Sequence, residues 1–124
     1  MKESILIVDD SEMNRDMLAE ILGDEYDTTE LANGSEAIDF LKTDAGTTSA
    51  ILLDLRMPKV DGFGVLNFMK EENLINKIPV LVISADDTSA SETECLKLGV
   101  SDFPGVRGEI RPEKCRECLI LLGL

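Results

Sequence analysis

The sequence predicts an α/β fold: a doubly wound, five-stranded parallel sheet in the order 2-1-3-4-5, with five helices. Three observations carry this. First, the runs Ile5-Leu6-Ile7-Val8, Ala50-Ile51-Leu52-Leu53 and Val80-Leu81-Val82-Ile83 are apolar without alternation. Strands that are covered on both faces, as in a parallel sheet, read this way. Second, segments with apolar residues at helical spacing separate these runs, so strand and helix alternate from end to end. Third, turn-forming residues mark several of the boundaries, among them Gly23, Asn33-Gly34, Pro58 with Gly62, Pro79 and Gly99. Right-handed crossovers and a switch point beside the first strand then give the strand order.

The elements follow in turn. After the first strand, Ser11 is placed to cap a helix over about Glu12 to Leu22, whose apolar residues are Met13, Met17, Leu18, Ile21 and Leu22; Gly23 ends it. A weaker second strand covers Tyr26 to Glu30, and its polar Thr28, Thr29 and Glu30 mark an edge. Asn33-Gly34-Ser35 forms a turn and cap for a second helix that reaches about Lys42 and turns Ala37, Ile38 and Leu41 inward. Thr43 to Ser49 reads as a small, polar, mobile loop, and the third strand follows it.

The breaker-rich Met57-Pro58-Lys59-Val60-Asp61-Gly62 leads into a third helix from about Gly62 to Glu72, with Phe63, Leu66 and Met69 buried. Pro79 opens the fourth strand. Asp86-Asp87-Thr88 precedes a fourth helix that carries Cys95, Leu96 and Leu98 and stops at Gly99. A short fifth strand lies near Ser101 to Phe103. An irregular loop, Pro104 to Gly108, then precedes a fifth helix that starts at Pro112 and carries Cys115, Leu119, Ile120 and Leu122. There is no internal repeat or linker, and residues 1–124 read as one domain.

Composition narrows the function classes. With 44% hydrophobic and 30% charged residues this is ordinary globular material. A net charge of −13 opposes a non-specific nucleic-acid surface or an anionic-membrane surface, and suits a cation in an acidic cleft or a basic protein partner. No segment approaches the roughly 18 apolar residues of a membrane span. The N-terminal apolar run ends after four residues in two aspartates, unlike a secretory leader, so the expected location is the cytoplasm. Cys95, Cys115 and Cys118 are too few for a disulfide framework. Cys115-x-x-Cys118 lies in a helical stretch with no second pair and no histidine in the chain, so it reads as a plain helical pair of thiols.

The chemistry concentrates where the apolar runs end. The first strand runs into Asp9-Asp10, the third into Asp54 and the fourth into Ser84. In an open α/β sheet, ligands bind beyond the carboxyl ends of the strands. If these strands are neighbours, three carboxylates meet there and repel one another unless a cation lies between them. A divalent-metal site around Asp54, with phosphate chemistry beside it, is the economical reading.

The pieces Ile5-Leu6-Ile7-Val8-Asp9-Asp10-Ser11, Leu52-Leu53-Asp54-Leu55-Arg56-Met57-Pro58 with Asp61-Gly62, and Val82-Ile83-Ser84-Ala85 occur in this order at these strand ends. This constellation resembles the receiver domain of two-component response regulators, a flavodoxin-like fold, over essentially the whole chain. The resemblance implies that Asp54 is a phosphoacceptor and that Asp9, Asp10, Asp54 and the backbone carbonyl of Arg56 hold Mg²⁺ or Mn²⁺, Asp10 more directly than Asp9. It implies that Ser84 bonds a phosphoryl oxygen, that small Ala85 leaves room for it, and that Phe103 is an aromatic switch. Arg56 and Asp86, two residues past Asp54 and Ser84, flank the phosphoryl group and are expected to tune its lifetime. A histidine kinase, a phosphotransfer protein or a small phosphodonor is the expected source of phosphate. A homodimer is compatible with such a chain.

One element departs from that pattern. The lysine expected after the fifth strand is replaced by Val106 at the counted position, and no lysine occurs between Lys97 and Lys114. Arg107 is the nearest cation, although a planar guanidinium is not equivalent to a compact ammonium. Two function classes therefore stand: a phosphorylatable switch, and a pseudo-receiver that serves as an interaction scaffold without cycling phosphate. A haloacid-dehalogenase-type phosphohydrolase is disfavoured because Arg56 stands where that family has a second Asp. A flavin site is disfavoured by Asp9-Asp10 in the first loop, and a nucleotidase by the lack of a Gly-x-x-x-x-Gly-Lys loop.

Overall fold

The computed structural model describes residues 2–55, 60–83, 97–100 and 112–124. Strands β1 (Glu3–Val8), β2 (Tyr26–Leu31), β3 (Ala50–Leu53) and β4 (Val80–Val82) alternate with helices α1 (Glu12–Leu22), α2 (Gly34–Asp44) and α3 (Gly62–Glu71), and α4 (Pro112–Leu121) closes the chain. The sheet is parallel, with order β2-β1-β3-β4. That is the predicted order for these four strands, and α4 is the fifth helix of the sequence reading, starting at Pro112 as expected. The fifth strand and most of the fourth helix fall outside the described residues, but Gly99 adopts φ +100, the left-handed conformation that ends helices.

Period-two geometry explains why the strands read as unbroken apolar runs. Ile5, Ile7, Ala50, Leu52, Leu81 and Ile83 enter one core together with Leu18 and Leu22 of α1 and Cys115, Cys118 and Leu119 of α4. Leu6, Val8, Ile51, Leu53, Val80 and Val82 enter the other, with Ala37 and Leu41 of α2 and Val65, Leu66 and Met69 of α3. Successive side chains point to opposite faces, and helices cover both faces, so every position must be apolar. Cys115 and Cys118 are buried thiols, not in a disulfide, and act as small apolar residues beneath α1.

Three expectations change. Met13 does not face the core but is 79% exposed. At about 100° per residue it sits roughly 140° from Leu18 and 180° from Leu22 around α1, off the apolar stripe. Gly23 ends α1 as expected, in a right-handed conformation (φ −61). Thr43 to Ser49 is not an open loop. Helix α2 runs to Asp44 and a one-turn 3-10 helix covers Ala45–Thr47. The hydroxyls of Thr47 and Thr48 both donate to the Asp44 carbonyl at 3.0 Å, Ser49 N–H donates to the Ser4 carbonyl at 2.8 Å, and the Ser49 hydroxyl bonds Glu3. In α3, Phe63 is half-buried and Val65 takes its place in the core.

Leu53→Ala is expected to lower unfolding free energy by about 2–5 kcal/mol, as cavities in rigid cores do. Met13→Ser is expected to change it by no more than about 0.5 kcal/mol. Urea unfolding of both variants checks the two assignments at once; equal losses would refute the exposed placement of Met13.

Candidate functional site

The site is made where β1 and β3 end side by side. Val8 pairs with Leu53 and Leu53 with Val82. The next residues continue the register: Asp54 N–H donates to the Val8 carbonyl at 2.8 Å, and Ile83 N–H to the Leu53 carbonyl at 2.9 Å. Asp9 and Asp54 therefore leave the sheet at the same level. One carboxylate oxygen from each of Asp9, Asp10 and Asp54 lies within 4.8 Å of the others. Asp9 is 1% exposed, Asp54 9%, and Asp10 opens to solvent. The donor set is three carboxyl groups, all oxygen, which fits a hard divalent cation such as Mg²⁺ and not a soft one.

Helix starts frame this edge. The Ser11 hydroxyl accepts from Asn14 N–H at 3.3 Å, Asn33 Oδ1 from Glu36 N–H at 2.9 Å, and Asp61 Oδ1 from Gly64 N–H at 3.0 Å. Ser11 and Asn33 lie just past the ends of β1 and β2, and α1 begins directly beyond Asp9-Asp10. Gly62 has a second duty: a Cβ there would stand 2.4 Å from the Asp54 carbonyl oxygen, so α3 packs against the backbone that carries Asp54 only because this residue has no side chain.

Asp9 is gripped from α1. Its Oδ1 accepts from Ser11 N–H at 2.9 Å and its Oδ2 from the Asn14 side-chain amide at 3.4 Å. The Arg15 guanidinium donates to the Asp9 carbonyl at 2.7 Å and reaches Glu30 of β2 at 3.8 Å. Burial pushes the Asp9 carboxyl above its ordinary 3.8, and the neighbouring Asp10 carboxylate pushes it further; the bonds from Ser11 and Asn14 pull the other way.

The sequence reading named Asp9, Asp10 and Asp54, and the fold brings all three together. Ser84, Asp86, Phe103, Val106, Arg107 and the carbonyl of Arg56 lie outside the described residues. Asn14 and Arg15 escaped it. A signal existed: on a helical wheel they fall about 40° and 60° from Leu18, polar groups on an inward-facing stripe.

The family pattern of the response regulator receiver domain matches residues 5–104. The chain belongs to this receiver family. Among relatives, the two-component response regulator ORR11 of Oryza sativa subsp. indica is 32% identical to this receiver over 100 residues, covering 80% of this chain and 67% of the rice protein. Among solved structures, a chain of the CheX-CheY-BeF3-Mg complex from Borrelia burgdorferi superposes with TM-score 0.86 at 25% identity, over 98% of this receiver and 89% of that chain. The Francisella response regulator 1452 receiver domain gives TM-score 0.85 at 24% identity over 98% of both chains, a likeness of fold. No described helix is long and apolar enough to cross a membrane.

The raised Asp9 carboxyl has a pH signature. Between 3.8 and its folded value, the folded protein keeps a proton that the unfolded chain has released. Its contribution to stability is full below 3.8 and is lost as pH rises through the folded value. In metal-free buffer, the urea midpoint of Asp9→Asn relative to wild type is therefore expected to increase with pH across that window. Parallel midpoint–pH curves for the two proteins would show that Asp9 does not titrate abnormally.

Proposed function

We propose that this receiver takes a phosphoryl group on Asp54 from a histidine kinase, a phosphotransfer protein or a small phosphodonor, and relays the modification as a change of surface. The observation that carries the reading is the meeting of Asp9, Asp10 and Asp54 within 4.8 Å at the carboxyl edge of the sheet, in a chain of the receiver family. A carboxylate oxygen of Asp54 attacks phosphorus. The bond from phosphorus to the donor breaks, its electron pair leaves with the donor, and an acyl phosphate remains. Mg²⁺, when bound, neutralises the carboxylates and the phosphoryl oxygens. Asp10, exposed, and Asp54 are the direct carboxylate ligands in this reading. Asp9 is the buried third, and the Arg56 carbonyl completes the protein's oxygens.

The remaining roles belong to the same proposal. Ser84 bonds the phosphoryl group, Phe103 follows it inward, and the surface of the predicted fourth helix, predicted fifth strand and α4 responds. Arg56 and Asp86 flank the phosphoryl group and slow the approach of water. Residues 1–124 act as one cytoplasmic domain that phosphorylates and dephosphorylates itself and releases no substrate of its own. It contacts neither nucleic acid nor membrane directly, and a homodimer through the switching surface fits the scheme. With Mg²⁺ and acetyl phosphate, intact mass is expected to rise by one phosphoryl group in wild type and not in Asp54→Asn, because an amide is a poor nucleophile. Undiminished labelling of Asp54→Asn would move the acceptor elsewhere.

The pseudo-receiver is the second reading, favoured by Val106 at the lysine position and the absence of lysine between Lys97 and Lys114. Labelling of wild type decides between them, and Arg107 tests what replaces the lysine. As a substitute cation it bonds the carboxylate or the phosphoryl oxygens with charge assistance. Arg107→Ala is then expected to slow phosphorylation by about tenfold or more, the scale of one charge-assisted bond, with Mg²⁺ affinity unchanged or higher. Wild-type phosphorylation kinetics in that variant would leave the metal and backbone donors as sufficient; no labelling of wild type by any donor would favour the scaffold.

A further inference from the structure

The inward face of α1 carries a polar residue that the helix does not need. Asn14 is half-buried on the first turn, about 40° from Leu18 around the helix, where the stripe calls for an apolar side chain. Asn is also a mediocre helix former. The N-cap is supplied by the Ser11 hydroxyl and uses only the backbone N–H of Asn14. The Asn14 side chain is thus spare, and it is spent on Asp9 Oδ2 at 3.4 Å.

Three bonds close a ring: Ser11 N–H to Asp9 Oδ1, Asn14 N–H to the Ser11 hydroxyl, and the Asn14 amide to Asp9 Oδ2. A carboxylate only accepts, so the amide must present its nitrogen. Held at Oδ1 alone, the carboxylate could pivot about that bond; held at both oxygens, its plane is fixed. Arg15 fixes the main chain of the same residue through the Asp9 carbonyl.

We infer that Asn14 is a positioning residue for the metal centre: its amide fixes the plane of the Asp9 carboxylate within reach of Asp10 and Asp54, and so sets cation affinity. This rests on the metal-dependent reading of the site. Hydrogen-bond partners that orient metal-site carboxylates act in this way.

Calorimetric titration of Mg²⁺ into wild type, Asn14→Leu and Asn14→Gln, with urea midpoints in metal-free buffer, tests the inference. Leu keeps the volume and suits the apolar stripe but has no donor; Gln keeps the amide. Asn14→Leu is expected to bind Mg²⁺ about tenfold more weakly with an undiminished urea midpoint, and Asn14→Gln to recover most of the affinity. In wild type, the Asn14 side-chain amide signal is expected to move as Mg²⁺ is added. Wild-type or tighter binding by Asn14→Leu overturns the inference alone, as does equal weakness of the Leu and Gln variants. A fall in affinity that only parallels a fall in urea midpoint makes the role structural and overturns it too. No saturable binding by wild type removes the metal reading itself, and the inference with it.

Discussion

The repulsion of three carboxylates at one sheet edge is the constraint on which the site depends. Asp9 and Asp54 stand together because β1 and β3 pair in parallel with Val8 opposite Leu53, so both strands release their aspartates at one level. Alone, this arrangement costs stability, since like charges brought together disfavour each other's ionised form, and Asp9 and Asp54 are also buried. The rest of the fold holds the backbone rigid enough that the charges cannot drift apart.

That rigidity comes from two cores on either side of one sheet. Each central strand contributes alternate residues to both, so β1 and β3 are anchored against α1 and α4 on one face and α2 and α3 on the other. Close backbone contact completes the frame. Gly62 lets α3 lie on the Asp54 backbone, and Gly34, whose Cβ would meet the Val60 carbonyl oxygen at 2.2 Å, lets α2 do the same against the segment that leads into α3. At the far end, Tyr26 donates to the carbonyl of Leu124, and Gly123 and Leu124 fold back onto Ile120 and Leu119, which ties the last turn of α4 to the start of β2. Leu121 stays 82% exposed beside this anchor.

The environments of the three aspartates then diverge. Asp9 is enclosed, its two oxygens and its carbonyl each held by a donor from the turn or from α1. Asp10, one residue later, faces solvent. Adjacent residues of one sequence motif thus have different physical characters: one is part of the scaffold, the other is open to a ligand arriving from solution.

Much of this was legible in the sequence. Unbroken apolar runs between helical segments identify strands covered on both faces, because only that environment excludes polar residues at every position. Acids at the ends of those runs announce the site, and Ser11 and Asn33 announce the caps of α1 and α2, because these side chains find their donors within three residues. What was missed is partly local and partly set by contacts distant in sequence. Met13 reads as core until its angle to Leu18 is drawn, and Thr43 to Ser49 reads as a loop because its ordering bonds run to Glu3 and Ser4 of β1. The sequence by itself determined which strands are buried and which residues carry negative charge, since these follow from local pattern and chemical identity. Only the tertiary structure decided that Asp9 is enclosed while Asp10 is open, and that Asn14 and Arg15 serve Asp9, because burial and hydrogen-bond partners are set by the packing of α1 over the ends of the strands.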